Sequence, residues 1–85
     1  MGLSEDFEVA ANKIRGFSKR PSDSDMLEVY ALYKQATVGD TNTAKPSGAE
    51  AVAKWNAWSS KKGVSSDQAK EQYIAKVAAL APKFA

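Results

Sequence analysis

Three breaks rich in proline, glycine and cap-forming residues divide this chain of 85 residues into four stretches, each with apolar side chains at helical spacing. The breaks are Lys19-Arg20-Pro21-Ser22, then Gly39 through Gly48 with Pro46, then Lys62-Gly63-Val64-Ser65. In the first stretch, about Ser4 to Phe17, Leu3, Phe7, Ala10, Ala11, Ile14 and Phe17 recur in steps of three and four and share one stripe. Ser4 followed by Glu5 and Asp6 suits an N-cap with an acidic first turn, which the helix dipole favours. The second stretch, about Ser22 to Val38, opens on Pro21-Ser22-Asp23 and stops at Gly39. The third, about Ala49 to Lys61, sets Ala51, Val52, Trp55 and Trp58 on one side. The fourth starts at Ser65-Ser66-Asp67 and presents Ala69, Tyr73, Val77, Leu80 and Phe84. Nothing alternates with period two over the length of a strand. An all-α, four-helix fold follows, forming one domain over 1–85, since a chain this short has room for a single modest core. The connection from Gly39 to Gly48 is long enough that the second and third helices need not be neighbours.

The second helix has two different apolar faces. At about 100° per residue, Val29, Leu32 and Ala36 form a plain core stripe. Met26, Leu27, Tyr30, Tyr33 and Lys34 fall on an adjoining arc. A core face rarely uses two tyrosines and a lysine, because each polar tip needs a partner; a solvated face rarely uses Met, Leu and two aromatics. Tyrosines at a core edge with a snorkelling lysine would give the same pattern, so the arc alone marks a possible binding surface. Trp55 and Trp58, three apart, read as anchors packed against a neighbouring helix, while Lys54 beside them could reach a groove shared with the second helix.

What the chain lacks narrows its chemistry. It contains neither cysteine nor histidine. Disulfides and thiol nucleophiles are thereby excluded, and a metal site would have carboxylates alone. No pair of carboxylates stands out as an acid/base dyad. A net charge of +2 does not demand a nucleic-acid partner. No apolar run approaches the roughly 20 residues of a membrane span, and Met1-Gly2-Leu3-Ser4 lacks the charged-then-apolar pattern of a secretory signal. A cytoplasmic protein without stable membrane insertion is the expectation.

The segment Pro21-Ser22-Asp23-Ser24-Asp25-Met26-Leu27-Glu28-Val29-Tyr30-Ala31-Leu32-Tyr33-Lys34-Gln35-Ala36-Thr37-Val38-Gly39-Asp40 resembles the signature of the acyl-CoA-binding protein family. Lys54-Trp55-Asn56-Ala57-Trp58 with Lys62-Gly63 is similar to the family's second landmark, and Ala69 to Val77 to its third. The order and spacing agree from about Phe7 onward. The resemblance implies a skewed four-helix bundle, acting as a monomeric, non-enzymatic carrier of long-chain acyl-CoA with no cofactor or metal. It further implies that Tyr30, Tyr33 and Lys34 lie at the nucleotide end of a groove. Arg15 and Lys54 would face the coenzyme A phosphates and Tyr73 would close on the head group, while Ala11, Met26 and Leu27 would touch the acyl chain. The chain departs from the family pattern between Pro46 and Lys54, where it is shorter and carries no lysine. The start of the third helix and its phosphate contacts are expected to differ there. Two other classes fit the residues less well. One is a helical module whose aromatic groove accepts a partner's amphipathic helix; the other is a small thioester-hydrolysing enzyme, which would have to work without His or Cys.

Overall fold

The periodic stretches form four helices in a computed structural model that describes residues 2–85: α1 (Leu3–Arg15), α2 (Asp23–Thr37), α3 (Ala49–Ser59) and α4 (Ser66–Phe84). Met1, where the expected domain begins, lies outside the described residues. No strand occurs among the described residues, so the all-α expectation holds. Two of the expected starts are capped as anticipated. Ser22 Oγ accepts from the Asp25 amide, and Ser65 Oγ from the Gln68 amide. The first is not. Gly2 is the N-cap of α1 and Ser4 sits inside the helix, where its hydroxyl accepts from Lys70 Nζ at 3.0 Å. The Glu5 carboxylate instead reaches back to the Gly2 amide, moving the helix start forward.

Helix α4 packs on both α1 and α2, and α3 packs on α2. The long connection thus joins two helices that are neighbours after all, and the molecule is a slab with principal extents of 34 × 28 × 15 Å. Phe7, Ala10 and Ala11 of α1 meet Val29, Leu32 and Ala36 of α2 and Ala69, Tyr73, Val77 and Leu80 of α4 in one core. These are the stripes read from the 3.6-residue period. At the far end of α4, the Lys19 amide donates to Phe84 O (3.0 Å) and Ser18 Oγ to Ala85 O (3.0 Å), satisfying carbonyls that a helix end leaves free.

The second connection is held by side chains rather than by a compact turn. Trp58, buried, donates its Nε1–H to Gly39 O at 2.8 Å, and Trp55 donates to Thr43 O at 3.0 Å. The tryptophans, expected to anchor a neighbouring helix, instead hold this loop against α3, Trp58 buried and Trp55 only half-buried. A second knot lies at the end of α2. Gln35, 1% exposed, donates from Nε2 to Val64 O and to Asp40 Oδ1, both at 2.8 Å. Asp40 Oδ1 also accepts from the Gly63 amide at 2.9 Å, and Ser66 Oγ donates to Ala36 O at 2.7 Å. One carboxylate therefore ties the loop after α2 to the loop before α4. Gly39 and Gly63, at φ +98° and +91°, occupy the left-handed region that lets the two loops turn toward each other.

The carboxylates in these contacts predict a one-sided pH profile. The Gly63 amide and then the Gln35 amide hold the Asp40 carboxyl below its ordinary value. Lys76, bonded at 2.8 Å, and then Ser22 do the same for Asp25. Below about pH 4 the unfolded chain therefore binds protons that the folded chain still refuses, and stability falls as pH drops through the depressed folded values. With no His or Cys, no side chain has an ordinary pKa between about 5 and 8. Urea midpoints should be flat from pH 5 to 8 and fall below 4, with a shallower acid limb in Asp40→Asn. A slope centred near pH 6 would contradict this assignment.

Candidate functional site

Helix α2 is the ridge of the site. Its arc of Met26, Leu27, Tyr30, Tyr33 and Lys34 is half-buried throughout, neither core nor fully solvated. That intermediate state is what the mixed composition of the arc required. Recesses open on both of its flanks.

Toward α3, an open recess of about 300 Å³ is lined by Tyr30, Lys34, Lys54, Trp55 and Trp58, with Thr43 and Pro46 of the long connection at its edge. Lys34 Nζ lies 5.0 Å from the centroid of the Trp58 ring, and Lys54 Nζ lies 5.6 Å from that of Tyr30. Each ammonium is thus steered by a ring face while its protons stay available for an acceptor. Lys34 has no carboxylate partner among the described residues, whereas Lys54 has Glu50 at 3.4 Å. Lys54 also borders a second recess of about 430 Å³, with Leu27, Ala49 and Ala53 on its walls and Asp23 and Glu50 at its rim. A polar, aromatic space and a more apolar one therefore adjoin along the α2–α3 seam.

On the other flank, toward α1, Arg15, Tyr33, Phe7, Ala11, Glu8 and Asn12 line a smaller recess of about 110 Å³. Arg15 Nη1 donates to Asn12 Oδ1 at 3.0 Å, and its guanidinium meets no carboxylate among the described residues. The Tyr73 ring, 2% exposed, packs 4.9 Å from Phe7 and 6.0 Å from Tyr33, while Phe7 stacks on Tyr33 at 5.6 Å. Burial pushes the Tyr73 phenol up, opposed by the nearby Arg15 charge and reinforced by Tyr33. Tyr73 is accordingly a core residue.

The six expected head-group residues fall into two sets. Tyr30, Lys34 and Lys54 line the recess on one side of α2; Arg15 and Tyr33 line that on the other, with Tyr73 buried behind Tyr33 and lining neither. The three residues expected at the acyl chain do not share one recess. Leu27 lies beside Lys54, Ala11 lies beside Arg15 and Tyr33, and Met26 lines neither space. Gln35 and Asp40 prove to be loop anchors, although they stand in the same run of sequence as Tyr30 and Lys34. The long connection also contributes to the site. Between Pro46 and Lys54 it brings no basic residue, and Gly48, at φ +100°, starts α3 without a side-chain cap.

A sequence profile described as acyl CoA binding protein matches residues 4–77. The chain belongs to the acyl-CoA-binding protein family. It is 48% identical over 85 residues to an acyl-CoA-binding protein homolog from Drosophila melanogaster, covering 98% of this chain and 99% of that one. It is 47% identical over 81 residues to an acyl-CoA-binding protein from Dictyostelium discoideum, covering 93% and 96%. Among solved structures, the crystal structure of Oryza sativa acyl-CoA-binding protein 2 superposes with a TM-score of 0.89 at 41% identity, covering 93% of this chain and 90% of that one. The solution structure of the yeast acyl coenzyme A binding protein superposes at 0.77 with 42% identity, covering 95% and 96%. The four-helix architecture expected from the sequence is the family's own. No helix among the described residues is long and apolar enough to cross a membrane, and no cluster of three or more potential metal-binding side chains occurs among them.

Proposed function

We propose that this chain binds long-chain fatty acyl-CoA thioesters and carries them without chemical change, with residues 1–85 serving as one binding domain. The observation that carries this reading is the meeting of Tyr30, Lys34 and Lys54 beside the Leu27–Ala49–Ala53 recess, which supplies cations and ring faces next to apolar walls. Coenzyme A carries a 3′-phosphate and a pyrophosphate, so ammonium groups from two helices and the Arg15 guanidinium from a third suit it. Each charge-assisted hydrogen bond contributes about 1.5–3 kcal/mol. A tyrosine or tryptophan face suits adenine. The thioester tail adds about 0.8 kcal/mol per buried methylene, before the cost of ordering it.

Head group and tail are thus both required for tight binding. Calorimetric titration with a long-chain acyl-CoA, free coenzyme A and the corresponding fatty acid should give strong binding only for the first. Equal, weak binding of all three would overturn the proposal. The carrier role predicts that the thioester survives prolonged incubation with the protein. With no His or Cys, the chain lacks the side chains that most often activate water or attack a carbonyl near neutral pH. A cytoplasmic monomer that binds neither nucleic acid nor a resident cofactor is part of the same reading.

A further inference from the structure

Lys54 stands at the junction of the two α2–α3 recesses, and it is the one basic residue of the site that already has a counter-ion among the described residues. Glu50 Oε1 lies 3.4 Å from its Nζ, with the Glu50 side chain 86% exposed and that of Lys54 45% exposed. The pairing follows from local sequence. Gly48 offers no side chain to cap α3, an acidic residue in the first turn compensates the helix dipole, and a glutamate four residues before a lysine is the favourable order for an ion pair along a helix. Lys34 and Arg15 have no such partner among the described residues, so the attenuation falls on one of three cations.

We propose that Glu50 weakens the hold of this site on phosphate-bearing head groups, by competing with them for the Lys54 ammonium. The inference rests on the acyl-CoA reading of the site. An incoming phosphate must draw the Lys54 ammonium away from Glu50 or share it with that carboxylate. Drawing Lys54 away breaks the Glu50 pair, and sharing it divides its charge between two anions, so this carboxylate makes the Lys54 ammonium less available to a phosphate than an unpaired lysine would be. With Lys54 paired, Lys34 is the other ammonium lining this recess, and it has no carboxylate partner among the described residues.

The test is titration of the full chain with palmitoyl-CoA, comparing the wild type, Glu50→Gln, Lys54→Ala and the double variant at low and high salt. Glu50→Gln should bind about two- to fivefold more tightly at low salt, the range set by exposed ion pairs, and the gain should shrink at high salt. The gain should vanish when Lys54 is already alanine. Unchanged or weaker binding by Glu50→Gln, or an equal gain in the Lys54→Ala background, would overturn the proposal while leaving the acyl-CoA reading intact. Failure of the wild type to bind palmitoyl-CoA would overturn both. Because Glu50 is exposed, the urea midpoint of Glu50→Gln should match the wild type within a few tenths of a molar unit, at the low end of helix-dipole effects.

Discussion

Tyr73→Ala should lower unfolding free energy by about 3–5 kcal/mol, the usual cost of truncating a buried aromatic side chain to alanine. The ring is almost wholly buried between Phe7 and Tyr33, and it joins the α1 and α2 contributions to the core. A domain of this size has about 4–13 kcal/mol of stability in total, so the loss is a large fraction of it. Urea denaturation would show the shift as a lower midpoint with an unchanged slope. A loss below about 1 kcal/mol would mean that the three-ring cluster is not the centre of the core. For that reason the alanine variant cannot test a role in ligand binding. Tyr73→Phe can, because it keeps the ring and removes only the hydroxyl. If that hydroxyl meets the head group, acyl-CoA affinity falls while the urea midpoint stays nearly constant.

Removing Lys34 or Lys54 should have the largest effect on the ligand side. Each Lys→Ala change is expected to weaken acyl-CoA binding by about 10- to 150-fold, the equivalent of one lost charge-assisted hydrogen bond. In the fold, Lys34→Ala sacrifices an ammonium–ring contact and Lys54→Ala both such a contact and the exposed Glu50 ion pair, each about 0.2–1 kcal/mol. Both ammonium groups line one recess, so the double variant should lose less than the product of the single effects. Calorimetry on all three variants measures this directly. An effect below twofold for both single changes would remove the phosphates from the α2–α3 flank. The Arg15–Tyr33 flank would then be left as their site.

The resemblance to the acyl-CoA-binding family rests on a run of residues that turns out to do two jobs. Tyr30, Tyr33 and Lys34 face the recesses, but Gln35 and Asp40, a few positions on, bind loop backbone and each other. A single residue step, about 100° of helix rotation, separates the two roles: Lys34 lies on the α3 side and Gln35 in the interior. A substitution at Gln35 or Asp40 that lowered affinity would therefore act by loosening the loops around the site rather than by removing a ligand contact.

The helices themselves were legible in the chain because their signals are local. Apolar steps of three and four define a stripe whatever lies opposite it, and serine caps or glycine stops act within one turn. That is why the stripes containing Phe7, Val29, Leu32, Tyr73 and Val77 reappear in the core, and why the second arc of α2 was visible as a surface unlike the others. The start of α1 was misplaced by a local competition, since Ser4 and Gly2 could both cap it and the Glu5 carboxylate decided for Gly2. Tertiary packing decided everything that depends on which helix lies beside which. It brought α3 against α2 despite the long connection, split the site residues between the two flanks of α2, buried Tyr73, and set Ala11 apart from Leu27. Periodicity determines which way a side chain faces from its own helix axis; what it meets there depends on residues tens of positions away, and only the folded chain supplies those.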